Sequence, residues 1–297
     1  MMTLDEAVKK VRPLDEKAME GARKRWDSIA KPLHSLGELE NMLTQIAGIT
    51  GTPEVRVEKK AVVAMCADNG VVEEGVTQTG QEVTAIVAEN FLKGDTSACV
   101  MCRQCGTDVF PVDVGMASDT KVPSDLKVMM GTRNMTKEPA MTYEEAVQGI
   151  EAGIEMVRRL KEQGYRLIAT GEMGIGNTTT SSAVASVLLN RSVEEMTGRG
   201  AGLSGEGLKR KIDAIKRAVK LNEPDPFDPV DVLAKVGGLD IAGMAGIYGR
   251  SRLPDPGCDR RFYFLCGCSC GSENFSSYKR LYDRLSCIQR ACGSHDS

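Results

Sequence analysis

From Lys60 onward the chain repeats one unit: a short, apolar, β-rich run that stops at polar residues or glycine and gives way to a helical pattern. Residues 61–67 form one such run, ending at Asp68-Asn69-Gly70, and helical patterns follow over 84–91 and 94–105. Residues 107–114 form the second run, and a long helix follows over 143–163, with Glu and Gln caps and Gly164 closing it. Residues 165–170 form the third run, with a helix over 179–190 behind it. Strands separated by helices pair in parallel through crossovers. The expected fold class is therefore α/β, a Rossmann-like parallel sheet wrapped by helices, with ligands at the carboxyl ends of the strands.

Two segments lie outside that pattern. Residues 4–49 read as helical, a smaller N-terminal part with Leu36, Leu39, Met42, Leu43 and Ile46 on one apolar face. After Gly249 the pattern stops, and 250–297 mixes charges, cysteines and aromatics with no helical or strand period. The expected organisation is one domain over 1–249, including the helices of 4–49, and an aberrant tail over 250–297.

Bulk properties narrow the function classes. Hydrophobic residues make up 41% and charged residues 27%, which argues against a disordered chain. A net charge of −3 provides no field of one sign for nucleic acid or an anionic membrane. No apolar run reaches the roughly eighteen residues of a membrane span, and Met1 to Arg12 is charged rather than signal-like. The default is a cytoplasmic enzyme. Of the 10 cysteines, Cys66, Cys99, Cys102 and Cys105 precede Gly249 and the rest crowd the tail. Without a secretory signal this is not a disulfide framework. Cys99, Cys102 and Cys105 have the spacing of an iron–sulfur run but fall within a helical pattern with no fourth ligand nearby, so no metal site is expected. His34 and His295 are the only histidines, too few for a His-rich metal site.

Three glycine-rich segments carry the chemistry. Gly171-Glu172-Met173-Gly174-Ile175-Gly176-Asn177-Thr178-Thr179 follows a strand and opens a helix. Glycines there let backbone N–H groups approach an anion, and a helix N-terminus favours phosphate. A glycine turn without a ligand has the same appearance. Gly198 to Leu203, followed by Lys209, Arg210 and Lys211, either holds a second anion or leads into an exposed helix face. Gly237 to Gly246 reads as close packing through small residues. Asp68-Asn69-Gly70 with Thr77 to Gln81 forms a polar loop suited to a planar base. The acidic pair that transferases of pyrophosphorylated ribose use with magnesium is absent. A sugar-phosphate transfer without metal fits better.

Taken in order, these segments resemble the nicotinate-nucleotide–dimethylbenzimidazole phosphoribosyltransferase family. The likeness runs through Lys31-Pro32-Leu33-His34-Ser35-Leu36-Gly37-Glu38-Leu39-Glu40, Cys66 to Val71 (many members have His where Asn69 stands), Gly171 to Thr179, Gly200 to Lys211, and Val236 to Asp240. It covers the chain from about residue 5 to Gly249. The resemblance implies transfer of ribose 5-phosphate from nicotinate mononucleotide to 5,6-dimethylbenzimidazole, without metal or cofactor, by a homodimer. It implies that Glu172, Gly174, Gly176, Asn177, Thr178 and Lys211 hold the nucleotide and its phosphate, with Thr79, Gly80 and Gln81 near the benzimidazole.

One departure matters. The family's late Leu-Gly-Glu-Gly-Ser/Thr-Gly-Ala segment, whose glutamate is the base, does not occur in these 297 residues, so no catalytic residue is assigned. Read from the second nucleotide of each codon, Pro254 to Gly267 permits Arg-Ile-Pro-Val-Val-Ile-Asp-Gly-Phe-Ile-Ser-Ser-Ala-Ala, a family-like stretch. Lys279 to Ser297 permits another in the same frame. The tail therefore reads as frame-shifted near Gly249. The alternatives for the chain are a non-catalytic nucleotide or benzimidazole binder, or an inactive product.

Overall fold

The computed structural model describes residues 2–9, 13–250 and 263–265. Helices α1 (Leu4–Lys9), α2 (Glu16–Ser28) and α3 (Glu38–Thr50) open the chain. The expected continuous helical part over 4–49 is thus interrupted. Asp15 caps α2, its side chain accepting from the Ala18 N–H at 3.0 Å. The left-handed residues His34 and Gly37 turn the chain before α3 begins. The expected apolar face also divides. Ile46 is buried, whereas Leu36, Leu39 and Met42 are exposed, because α2 and α3 pack mainly on each other.

The repeating region forms β1 (Lys60–Ala67), α4 (Glu82–Lys93), α5 (Ser97–Gln104), β2 (Thr107–Gly115), α6 (Tyr143–Glu162), β3 (Leu167–Met173) and α7 (Asn177–Leu188). Then follow α8 (Val193–Met196), α9 (Gly205–Asn222), α10 (Pro229–Val236), α11 (Leu239–Arg250) and β4 (Tyr263–Leu265). The sheet order is β2-β1-β3-β4, with every pairing parallel. Helices cover both faces. Val63 and Met65 of β1 belong to the main core with Ala242 of α11, while Cys66, between them and Ala67 in the strand's alternation, packs with Ala88 of α4. Burial pushes the Cys66 thiol well up, so it serves as packing rather than chemistry.

One boundary expectation is refined and two change. The N-cap of α6 is Thr142, whose hydroxyl accepts from the Glu145 N–H at 3.1 Å while the Glu145 carboxylate accepts from the Thr142 N–H at 2.7 Å, so the expected glutamate acts within a reciprocal capping box, and Gln163 is the C-cap as expected. Helix α7 begins at Asn177, two residues ahead of the expected start. The pattern did not end at Gly249 either: α11 reaches Arg250, and Tyr263–Leu265 pairs beside β3 with Leu167 opposite Tyr263. The rest of the out-of-frame reading of 250–297 lies outside the described residues.

Close packing through small residues is realised between α6 and α11. A Cβ on Gly153 would collide with the Gly243 carbonyl, and one on Gly246 with the Ile150 carbonyl. In and beside α5, Cys99 is buried, Cys102 half-buried and Cys105 exposed, so the three share no common environment. Among the described residues no group of three or more His, Cys, Asp or Glu is placed to hold a metal, and no helix is long and apolar enough to cross a membrane.

Candidate functional site

The chain leaves β1 toward β2 on one side and returns to β3 on the other, so the loops after β1 and β3 part at a topological switch point. The glycine loop lies there. A Cβ on Gly174 would collide with the Ala67 carbonyl oxygen at the end of β1, and Gly176 has φ +92°. The Asn177 N–H donates to the Gly174 carbonyl at 3.1 Å and the Thr179 N–H to the Gly176 carbonyl at 2.9 Å, which brings the loop directly into the first turn of α7. Asn177 and Thr178 therefore sit at a helix N-terminus, where N–H groups and the helix dipole favour an anion.

Glu172 is not in the loop, as expected from sequence, but in β3, opposite Met65 of β1. Parallel pairing carries the strand past the point where the glycines begin. Its carboxylate accepts from the Asn177 side-chain amide, so strand end and helix start are tied together.

Lys211 comes to the same place from α9. It is 1% exposed, unlike its neighbours Lys209 and Arg210, which lie on the outer side of the helix. Its ammonium donates to the Thr178 hydroxyl at 2.8 Å and to the Gly198 carbonyl at 3.3 Å. The Gly198 to Leu203 loop covers this pair. A Cβ on Gly200 would sit 2.9 Å from Thr178 Oγ1 and 3.6 Å from Lys211 Nζ. Glu172, Gly174, Gly176, Asn177, Thr178 and Lys211 are thus brought together.

Thr79, Gly80 and Gln81 lie just before α4, on the neighbouring edge. Gln81 donates to the Asn69 carbonyl at 3.1 Å, and the Asn69 side chain donates to the Ile175 carbonyl at 3.4 Å. Asn69 thereby links the two expected residue sets. Thr79 and Gly80 bond locally, to Thr77 and Val83. Asp68 and Asn69 are fully buried braces rather than walls of a pocket. Gln78, within the expected polar loop of Thr77 to Gln81 but not among the residues assigned to the benzimidazole, donates to the Gly202 carbonyl at 2.7 Å and joins this loop to the Gly198 to Leu203 loop. The cavity of about 450 Å³ lined by Trp26, Leu43 and Arg56 lies on the N-terminal helices and holds none of the expected site residues.

Sequence reasoning also missed Asp240. It is 0% exposed at the start of α11, and neither carboxylate oxygen meets a donor at hydrogen-bond geometry. Burial pushes its pKa up to about 6, against the smaller opposing pull of the Ile241 backbone and the Asn177 side chain. In the sequence it stood as the single acid within the small-residue run of 237–246 and as the end of the family-like Val236 to Asp240 stretch, without a role.

Fold and site together define a doubly wound α/β protein whose switch point carries an anion-suited glycine loop. The family model described as phosphoribosyltransferase matches residues 11–253. The chain belongs to the nicotinate-nucleotide–dimethylbenzimidazole phosphoribosyltransferase family. It is 51% identical over 249 residues to the protein of that name from Ruminiclostridium cellulolyticum, covering 83% of this chain and 71% of the relative. Against the protein of that name from Acetivibrio thermocellus it is 50% identical over 247 residues, covering 82% and 70%. The crystal structure of CobT from Thermus thermophilus superimposes with a TM-score of 0.78 at 34% identity, over 93% of this chain and 79% of that one.

Proposed function

We propose that the chain binds nicotinate mononucleotide and 5,6-dimethylbenzimidazole for a pentosyl transfer in cobalamin lower-ligand assembly. In that reaction a benzimidazole nitrogen bonds the anomeric carbon as its bond to nicotinate breaks. The benzimidazole loses its ring proton, and the products are α-ribazole 5'-phosphate and nicotinate. Glu172, Gly174, Gly176, Asn177, Thr178 and Lys211 serve the nucleotide, and Thr79, Gly80 and Gln81 the benzimidazole. The observation that carries this reading is the meeting of Lys211 with Thr178, 33 residues apart, over the N-terminus of α7. A buried ammonium, a hydroxyl and the positive end of the α7 dipole suit a phosphate. Holding both substrates in line supplies much of the rate.

Residues 1–249 act in this reading as the phosphoribosyltransferase unit and 250–297 as an out-of-frame tail, in a cytoplasmic homodimer. Exposed Ile29, Leu33, Leu36, Leu39 and Met42 favour a covering copy of the chain on the N-terminal helices. A second reading, a binder without turnover, applies to these 297 residues taken alone, which do not contain the family's glutamate segment.

Titration calorimetry of Lys211→Ala tests the nucleotide assignment. A charge-assisted contact of about 1.5–3 kcal/mol predicts a loss of roughly tenfold or more for nicotinate mononucleotide, with benzimidazole affinity unchanged. Equal losses for both ligands would refute the assignment.

A further inference from the structure

Ile175 is the middle residue of the glycine loop, between Gly174 and Gly176, and its backbone is held from outside the loop. Its N–H donates to the Thr84 hydroxyl at 3.1 Å, and its carbonyl accepts from the Asn69 side chain at 3.4 Å. Thr84 lies in the first turn of α4 and is 0% exposed, so solvent does not stand in for its hydroxyl. The same hydroxyl acts as a donor on the buried Asp68 carboxyl. Burial pushes that carboxyl up, while Thr84 first and then the Ala117 N–H, 2.8 Å from Oδ2, pull it down.

A hydroxyl has one proton and two lone pairs. With its proton directed at a carboxylate that only accepts, Thr84 keeps lone pairs for the Ile175 N–H. Asp68, Ala117 and Ile175 follow β1, β2 and β3, so Thr84 and Asp68 tie three strand ends to one helix start. That helix start also carries the benzimidazole set. Gln81 is the N-cap of α4, its carbonyl accepting the Thr84 N–H at 3.0 Å and its side chain donating to the Asn69 carbonyl at 3.1 Å. A glycine-rich loop has little conformational preference of its own. An anion site built on one therefore gains affinity when groups outside the loop hold it in a single form.

Building on the nucleotide site proposed above, we propose that Thr84 is a positioning residue for the glycine loop. Its hydroxyl fixes the backbone at Ile175 and so sets Gly174 and Gly176 before a phosphate arrives. Being fully buried, Thr84 touches no ligand itself.

The test compares Thr84→Val and Thr84→Ser with the unaltered 297-residue chain. Nicotinate mononucleotide and inorganic phosphate are the probes, measured by calorimetry beside thermal unfolding. Valine keeps the shape and removes the hydroxyl, whereas serine keeps the hydroxyl and removes a methyl. Both should lower the Tm, valine by leaving a buried N–H without its acceptor and serine by a small void. Well below either Tm, Thr84→Val should weaken both probes by the same factor, about tenfold. Thr84→Ser should bind both within about twofold of the unaltered chain. Valine binding like the unaltered chain, or serine and valine losing affinity alike in step with their Tm, would mark Thr84 as structural and overturn the proposal. A loss for nicotinate mononucleotide alone would also overturn it, by placing the effect on the sugar or base rather than on the loop. If the unaltered chain binds neither probe, the nucleotide reading is wrong and this inference falls with it. Normal binding by that chain with no effect at Thr84 leaves the nucleotide reading standing and removes this one.

Discussion

Lys211 and Glu155 show two ways in which a single charged side chain is held in this protein. Lys211 is buried, its ammonium donating to a hydroxyl and a carbonyl. Glu155, buried on α6, is matched by Arg158 through two hydrogen bonds of 2.8 and 2.6 Å and by Arg159 at 3.0 Å. The Arg158 guanidinium first, then Arg159, hold its carboxyl down to about 2. A depressed carboxylate stabilises the fold above its unfolded pKa of 4.5, and that contribution is lost as pH falls from there toward about 2. Glu155→Gln should therefore lower the Tm at neutral pH and flatten the decline between those two values. Thermal unfolding across that range checks this, and an unchanged acid limb would contradict it.

At the scale of elements, the glycines of α6 and α11 set how closely these two helices approach each other. A side chain on Gly246 would meet the Ile150 backbone carbonyl, which cannot turn aside as a side-chain tip can. Gly246→Val should destabilise the fold by about 3 kcal/mol or more. Gly205→Ala, in open space at the start of α9, should change stability by less than about 1 kcal/mol. Denaturant unfolding of both variants measures the contrast. Similar effects would show that the helix contact is looser than its geometry implies.

At the scale of the whole molecule, the expected outcome for these 297 residues taken alone is binding without turnover. Loss of a general base alone slows such a step by ~10²–10⁴-fold. The purified 297-residue chain should give no detectable α-ribazole 5'-phosphate, while a version restored in frame from codon 249 through the family's glutamate segment should form it. Product from the unaltered chain at a rate near the restored one would refute this. Light scattering on the same sample should give twice the mass of 32.0 kDa, and a monomer would refute the proposed dimer on the N-terminal helices.

Much of the fold was legible locally. The apolar runs, their polar or glycine stops and the helices between them are properties of short windows, and parallel pairing follows from the connections. The glycine loop was visible for the same reason, since a strand, a tight turn and a helix start are neighbours in the chain. Long-range arrangement was not legible. Nothing near Lys211 in sequence distinguishes it from Lys209, and burial against Thr178 exists only once α9 folds over α7. The reach of β3 through Glu172 depended on pairing with β1, and the exposure of Leu39 and Met42 on where α2 and α3 pack. Asp240 was hidden most completely. A carboxylate in a small-residue run looks like a helix start, and only the sheet's switch point places it, fully buried, beneath the loop. Sequence by itself determined the elements and the family they belong to. The tertiary structure decided which charges are buried and what faces them, because burial and partnership arise between segments far apart in the chain.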